Sequence, residues 1–175
     1  MELQIAEPRD MADLKEKIKG LGLPDKFYVA VESNIFDENK KWVLMRRGPG
    51  CKDGRLKLEG IGGGIEETDT NFIEGLKREI AEEAGQDADI EIKGFLYART
   101  EEVFDLHANI NKLWIILSYI AVLKGGEMKI IEPDKNLGYE RYNIEEIDTN
   151  ELTQCANSAY QKIKENLEKV NSIIG

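Results

Sequence analysis

The sequence predicts an α+β domain arranged as an α/β/α sandwich around a mixed β-sheet. Three observations carry this. Strand-patterned segments stand both before and after one long helix that follows the glycine run Gly62–Gly64. The segment Leu113–Leu123, LWIILSYIAVL, is rich in β-branched and aromatic residues and apolar on both faces, as a central strand covered by helices must be. A last helical stripe of Leu152, Cys155, Ala156, Ala159, Tyr160, Ile163, Leu167 and Val170 closes the chain.

In chain order, Asp10 caps a short helix with Met11, Leu14 and Ile18 on one face, ending near Gly20-Leu21-Gly22. Phe27–Phe36 alternates as a strand, Asp37–Lys40 turns, and Trp42–Met45 returns, closing on Arg46-Arg47. Gly48–Arg55 is a polar loop, Leu56–Glu59 a short strand, and Gly60–Gly64 a glycine turn. After the long helix, which Gly85 ends, Ile90–Arg99 is a strand and Glu101–Asp105 a connection. Beyond the central strand, Gly125-Gly126 turns, Met128–Ile131 is a short edge strand, and Tyr139–Ile144 is the last strand. Thr149 or Asn150 caps the closing helix. Residues 1–26 are expected to be an N-terminal extension with a short helix, packing on the domain or on a second subunit. Residues 27–175 form the main domain, including the C-terminal helix.

Composition narrows the function. The 175 residues suffice for one domain with a proper core. A net charge of −10 argues against a protein that works by gripping nucleic-acid phosphates or an anionic membrane. It does not argue against a small phosphorylated ligand, because a bound metal ion reverses the local sign. Cys51 and Cys155 match no metal spacing, and with no signal peptide or spanning apolar run the expected setting is a reduced cytoplasm. His107 is the only histidine, which excludes histidine-rich metal centres.

The long helix has carboxylates in an unusual place. At about 100° per residue from Leu76, Phe72, Ile73, Ile80 and Ala84 form a buried stripe, while Glu83, Glu79 and Glu82 fall at about −20°, −60° and −120°. Two of the three acids therefore lie on or against the apolar edge, where unpaired charge is costly. Arg78 is an i,i+4 neighbour of Glu82 only, and Lys77 lies on the far side. A divalent cation held by oxygen ligands resolves the crowding better than either cation does. The competing reading is a solvated acidic face.

These residues resemble the Nudix box, the loop–helix signature of hydrolases that cleave nucleoside diphosphates linked to another group. Arg78-Glu79-Ile80-Ala81-Glu82-Glu83-Ala84-Gly85 matches its second half position for position, and Gln86 replaces the final aliphatic residue. In the first half, counting back from Arg78 places Gly64 at the box glycine and Thr70 at the first Glu. One inserted residue makes these Gly63 and Asp69 instead. Ile61 stands where the family usually has Pro, and Tyr142 where it usually has Trp.

The resemblance implies the Nudix-type α/β/α fold from roughly Phe27 onward. It implies Mg²⁺- or Mn²⁺-dependent hydrolysis of a pyrophosphate bond in a nucleoside diphosphate derivative, such as a nucleotide sugar like ADP-ribose, or in a nucleoside triphosphate. Glu79, Glu82 and Glu83 would hold the metal with a backbone carbonyl from Gly62–Gly64, taken as Gly63, and Arg78 would brace them. The general base is Glu83, or a late-loop Glu132 or Glu140. Arg46 and Arg47 are candidates for gripping substrate phosphate, since arginine forks match its oxygens; the alternative is an exposed basic strand end. His107 is a loop or strand residue rather than a catalyst. The implied partner is a phosphorylated nucleotide, with a homodimer as the suggested assembly and neither nucleic acid nor membrane. Two rival readings stay open: a non-catalytic Nudix-type nucleotide-sensing or regulatory module, and a structural protein whose acidic helix meets a basic partner.

Overall fold

The computed structural model describes residues 1–105 and 109–175, so His107 lies outside the described residues. One mixed sheet carries the molecule. Strands β1 (Glu2–Leu3), β6 (Ala88–Asp105), β7 (Ile110–Gly126), β2 (Tyr28–Phe36), β3 (Trp42–Arg47) and β4 (Leu58–Glu59) follow one another across it. β5 (Ile61–Gly64) pairs with the first half of β2, and β8 (Asn136–Tyr142) pairs with β3. The join of β2 to β7 is parallel, from Tyr28 opposite Trp114 to Phe36 opposite Val122. The other pairings are antiparallel.

Helices cover both faces, which is why β7 has no wet side over its middle. On one face α1 (Met11–Ile18) and α2 (Phe72–Ala84) bury Leu14, Ile18, Phe72, Leu76 and Ile80 against Val29, Val31, Ile35, Ile115 and Leu117. On the other, α3 (Gln154–Glu165) and α4 (Leu167–Ile174) bury Ala156, Tyr160, Ile163 and Val170 against Phe36, Trp42, Leu44 and Ile120. Each of the larger of these apolar side chains stabilises the fold by roughly 2 kcal/mol. This is the α/β/α sandwich with mixed sheet that the sequence predicts. Leu3, Leu14 and Ile18 belong to the first core, so the first residues pack on the sheet of their own chain.

Several boundaries differ from expectation. Glu101–Asp105 is not a connection but the continuation of β6 along β7. Met128–Ile131 forms no strand. The last strand starts earlier, at Asn136, and Leu56 is not in a strand because its φ is +62°. Gly62–Gly64 is not a turn: these glycines form β5, none at positive φ. The closing helix is capped by Thr153, whose hydroxyl accepts from the Ala156 amide at 3.1 Å, whereas Thr149–Glu151 makes a separate 3₁₀ turn. That helix also breaks into two at Asn166 (φ −122°, ψ 25°), whose side chain turns back to donate to the Lys162 carbonyl at 2.9 Å. No helix among the described residues is long and apolar enough to cross a membrane.

Candidate active site

α2 begins where the Asn71 side chain accepts the Glu74 amide at 2.9 Å, and ends at Gly85 (φ 83°). Its polar edge faces β5. There Arg78 acts as a brace between loop, strand and helix. Nε and Nη2 fork onto the two Asp69 oxygens at 3.1 and 2.9 Å, and Nη2 also donates to the Gly64 carbonyl at 2.9 Å. Nη1 reaches Glu79 Oε1 at 2.8 Å and Glu82 Oε2 at 3.3 Å. Fork geometry of this kind is strong and orienting. The Asp69 side chain is only 6% exposed and also accepts the Glu66 amide at 2.8 Å, so Asp69 is the acidic partner of Arg78 in the loop. Thr70 is exposed, and its hydroxyl accepts from the neighbouring Asn71 side chain at 3.4 Å.

Glu79 and Glu83 both lie against the glycine strand. Glu83 Oε2 accepts the Gly62 amide at 3.0 Å. Glu79 lies so close to Gly63 that a Cβ there would come within 2.5 Å of its carboxylate oxygens. Only glycine admits that approach, which explains a glycine in the middle of a strand. Burial raises the pKa of Glu79 above its ordinary value, against the opposing pull of Arg78. Burial pushes Glu83 up to about 8; the Gly62 hydrogen bond opposes this, and the nearby charges of Glu79 and Glu59 add to it. Glu82, by contrast, is exposed and turned toward Arg78.

Among the described residues, no three acidic, histidine or cysteine side chains are grouped so that they could hold a metal ion by themselves. The donors present still fit a hard divalent ion. Mg²⁺ typically takes one or two carboxylates and keeps water or substrate phosphate in its other positions. Two desolvated carboxylates one helical turn apart, beside the glycine strand, offer such a set.

The raised pKa of Glu83 sets a pH dependence with a definite sign. Its folded value of about 8 exceeds the ordinary 4.5, so its favourable contribution is complete below about 4.5 and lost as pH rises through about 8. The metal-free protein is therefore expected to lose thermal stability between pH 5 and 9, and saturating Mn²⁺ to abolish most of that loss. Calorimetric melts at both metal levels check this.

The other candidate residues are less free than the sequence suggests. Arg46 donates to both Glu140 oxygens at 2.6 and 3.0 Å, to the Leu56 carbonyl and to Glu151, each at 2.7 Å. Arg47 is bonded to Glu59, to the Asp53 side chain at 2.7 Å and to the Asp53 carbonyl at 3.1 Å. Both guanidiniums are thus occupied within the chain. Glu140 is held by Arg46 and also accepts from the Tyr142 hydroxyl, and the Arg46 hydrogen bond holds its pKa below the ordinary range. Glu132 is exposed and pairs with Lys135 at 2.8 Å.

Sequence reasoning missed Glu59, whose pKa is raised by burial against the opposing charge of Arg47. It lines a cleft of about 480 Å³ with Glu101, Thr153, Gln154 and Cys155. The strand ending Leu58-Glu59 runs through Gly60 into the glycine strand, which is the only sequence signal for its place.

A family model described as NUDIX domain matches residues 26–165. The chain belongs to the Nudix family. No curated protein matches it significantly. Among solved structures, the MutT Nudix hydrolase from Burkholderia pseudomallei superposes with a TM-score of 0.61 at 18% identity, covering 79% of this chain and 99% of that one. The MutT protein from Methanosarcina mazei Go1 gives 0.63 at 17%, covering 84% and 99%. The Nudix domain of Shewanella oneidensis NrtR, complexed with ADP ribose, gives 0.60 at 14%, covering 90% and 98%. At these identities the likeness is one of fold. The Nudix fold supports hydrolysis of pyrophosphate bonds in nucleotide derivatives, and Nudix enzymes in general use a divalent metal ion. Of the two residues that the spacing offers, Asp69 rather than Thr70 is the one that Arg78 grips.

Proposed function

We propose that this chain hydrolyses the pyrophosphate bond of a nucleoside diphosphate linked to a further group, using Mg²⁺ or Mn²⁺. The observation that carries the reading is the pair Glu79 and Glu83. Both are desolvated against β5, and the charge of Glu79 adds to the cost of ionising Glu83. Buried like charges persist where a cation offsets them. A divalent ion bound there would neutralise diphosphate oxygens and acidify a water. Glu79 and Glu83 would hold it, with Glu82 from the exposed side and the Gly63 carbonyl as a backbone oxygen. Arg78 keeps Glu79 and the Asp69 loop in register.

Of the three carboxylates weighed as base, Glu140 is bound on both oxygens and Glu132 is paired with Lys135. Glu83 keeps one oxygen without a hydrogen-bond partner among the described residues, so it is the one best placed to accept a proton. The cleft beside Glu59 has room for the nucleoside or its leaving group. Arg46 and Arg47, once relieved of their carboxylate partners, are the cations nearest the β3 end to meet a phosphate. The domain reading, residues 1–26 as extension and 27–175 as catalytic domain, belongs to this proposal, as does a cytoplasmic setting.

A nucleotide-binding module without turnover is the second reading. It is favoured by Glu82, which points to Arg78 and solvent rather than to Glu79 and Glu83. A panel of ADP-ribose, nucleotide sugars, dinucleotides and nucleoside triphosphates separates the two. With Mg²⁺ or Mn²⁺, release of a nucleoside monophosphate or pyrophosphate from at least one compound supports the enzyme. Tight binding of one with no product from any supports the module.

A further inference from the structure

The end of α2 that carries Glu83 is closed by another part of the chain. A helix leaves its last four carbonyls without intrahelical partners. Here the Ala81 carbonyl accepts from the Gly85 amide at 3.1 Å, and the Ala84 carbonyl from the Lys129 amide at 2.8 Å. The carbonyl of Glu83 itself accepts from the Tyr139 hydroxyl at 2.6 Å. That hydroxyl accepts in turn from Asn136 Nδ2 at 2.7 Å, while Asn136 Oδ1 accepts the Gly138 amide at 2.8 Å. Asn136 is buried and both ends of its amide are engaged, so it cannot turn away from the tyrosine. The Tyr139 ring packs at the edge of the first core, and β8 holds its backbone opposite Met45. Burial pushes its pKa up to about 12, so the hydroxyl remains a donor at any working pH.

Glu83 is thus fixed at two points. Gly62 holds its carboxylate from β5, and Tyr139 holds its backbone from β8. We propose that Tyr139, backed by Asn136, is a positioning residue: its hydroxyl keeps the last turn of the box helix wound so that the Glu83 carboxylate stays against β5 where the metal is to be bound. The proposal rests on the assignment of Glu83 as a metal-holding residue. Tyr139 itself touches neither substrate nor metal in this role.

Tyr139→Phe tests it, since the ring stays in the core and only the donor is lost. The variant is expected to bind Mn²⁺ about three- to tenfold more weakly by calorimetry, the size of one lost hydrogen bond. It should also lower kcat with little change in KM, and speed hydrogen exchange of the Gly62 amide in the metal-free protein by a similar factor. Ser118→Ala is the control. Ser118 is buried, accepts from Asn34 at 2.9 Å and is hydrogen-bonded to Glu32 as well, so the variant loses at least a comparable interaction away from the box helix.

Unchanged Mn²⁺ affinity and unchanged Gly62 exchange in Tyr139→Phe overturn the proposal. So do equal losses in Ser118→Ala, which assign the effect to general destabilisation. If the wild type binds no Mn²⁺, the assignment of Glu83 fails. The Gly62 exchange then shows separately whether the tyrosine fixes that carboxylate.

Discussion

Glu83→Gln is expected to lower turnover by roughly 10²–10⁴-fold, the range associated with loss of one positioned proton-transfer group. Gln has nearly the same shape and can still accept from the Gly62 amide, so the packing of α2 on β5 should survive. What is lost is the negative charge, and with it the attraction for a divalent ion. Mn²⁺ affinity should fall with activity. Glu79→Gln should behave similarly, because Glu79 is equally pressed against the glycine strand. Glu82→Gln should cost less, since that side chain is 57% exposed and water already solvates it.

The same substitution has an opposite effect on the metal-free fold. Burial makes ionised Glu83 unfavourable, so at pH 9 metal-free Glu83→Gln should melt above the metal-free wild type. A residue kept for stability would not give both results. Steady-state kinetics on the panel substrate, Mn²⁺ calorimetry and melts at pH 9 measure the three quantities.

The second large effect lies on the opposite face of the sheet, at the pair of Arg99 and Glu32. Arg99 Nη1 and Nη2 fork onto the Glu32 oxygens at 2.6 and 2.9 Å, and both residues are buried. Burial alone would raise the Glu32 pKa, but the charge and hydrogen bonds of Arg99 outweigh it and hold the group below its ordinary value. Arg99 also meets the Cys155 sulfur and the Tyr97 hydroxyl, and so joins β2, β6 and the first turn of α3. Arg99→Met should destabilise the fold by about 3–5 kcal/mol, because it strands a carboxylate in the interior.

For a domain of this size each kcal/mol lowers Tm by about 2–4 °C, so the fall should be plain in a thermal melt. Pairing it with Glu32→Met should restore much of the loss, since breaking such a pair costs more than replacing it. Recovery in the double variant separates charge stranding from loss of packing.

Much of this molecule was legible in the sequence. The strand Leu113–Leu123 and the stripes of α2 and α3 are periodic, and periodicity survives folding because burial creates it. The box carboxylates were legible by their angle on α2. What the sequence hid were relations between distant residues. Arg46 looked free because its partners Glu140 and Glu151 lie 94 and 105 residues away, on β8 and on the turn before α3. Tyr139 looked like an ordinary strand residue for the same reason. The choice between Asp69 and Thr70 depends on a one-residue insertion that spacing alone leaves open; in the fold it is Asp69 that Arg78 grips.

The glycines at 62–64 misled because a glycine run usually marks a turn. Here they lie in a strand, where Gly63 lets Glu79 lie against its surface and Gly62 leaves room for the backbone of β2. Residues 101–105 were hidden by their charge, since Glu101, Glu102 and Asp105 break the apolar alternation that marks a strand, although β6 runs on along β7.

The central claim is that a divalent ion sits between α2 and β5. Crystals of the full chain soaked in Mn²⁺, with anomalous data collected above the manganese edge, test it most directly. The account predicts a peak within coordinating distance of the Glu79 and Glu83 carboxylates beside Gly62–Gly64, and its disappearance in Glu83→Gln. Full turnover in a protein with no anomalous peak there, or a peak that persists unchanged in Glu83→Gln, would contradict it.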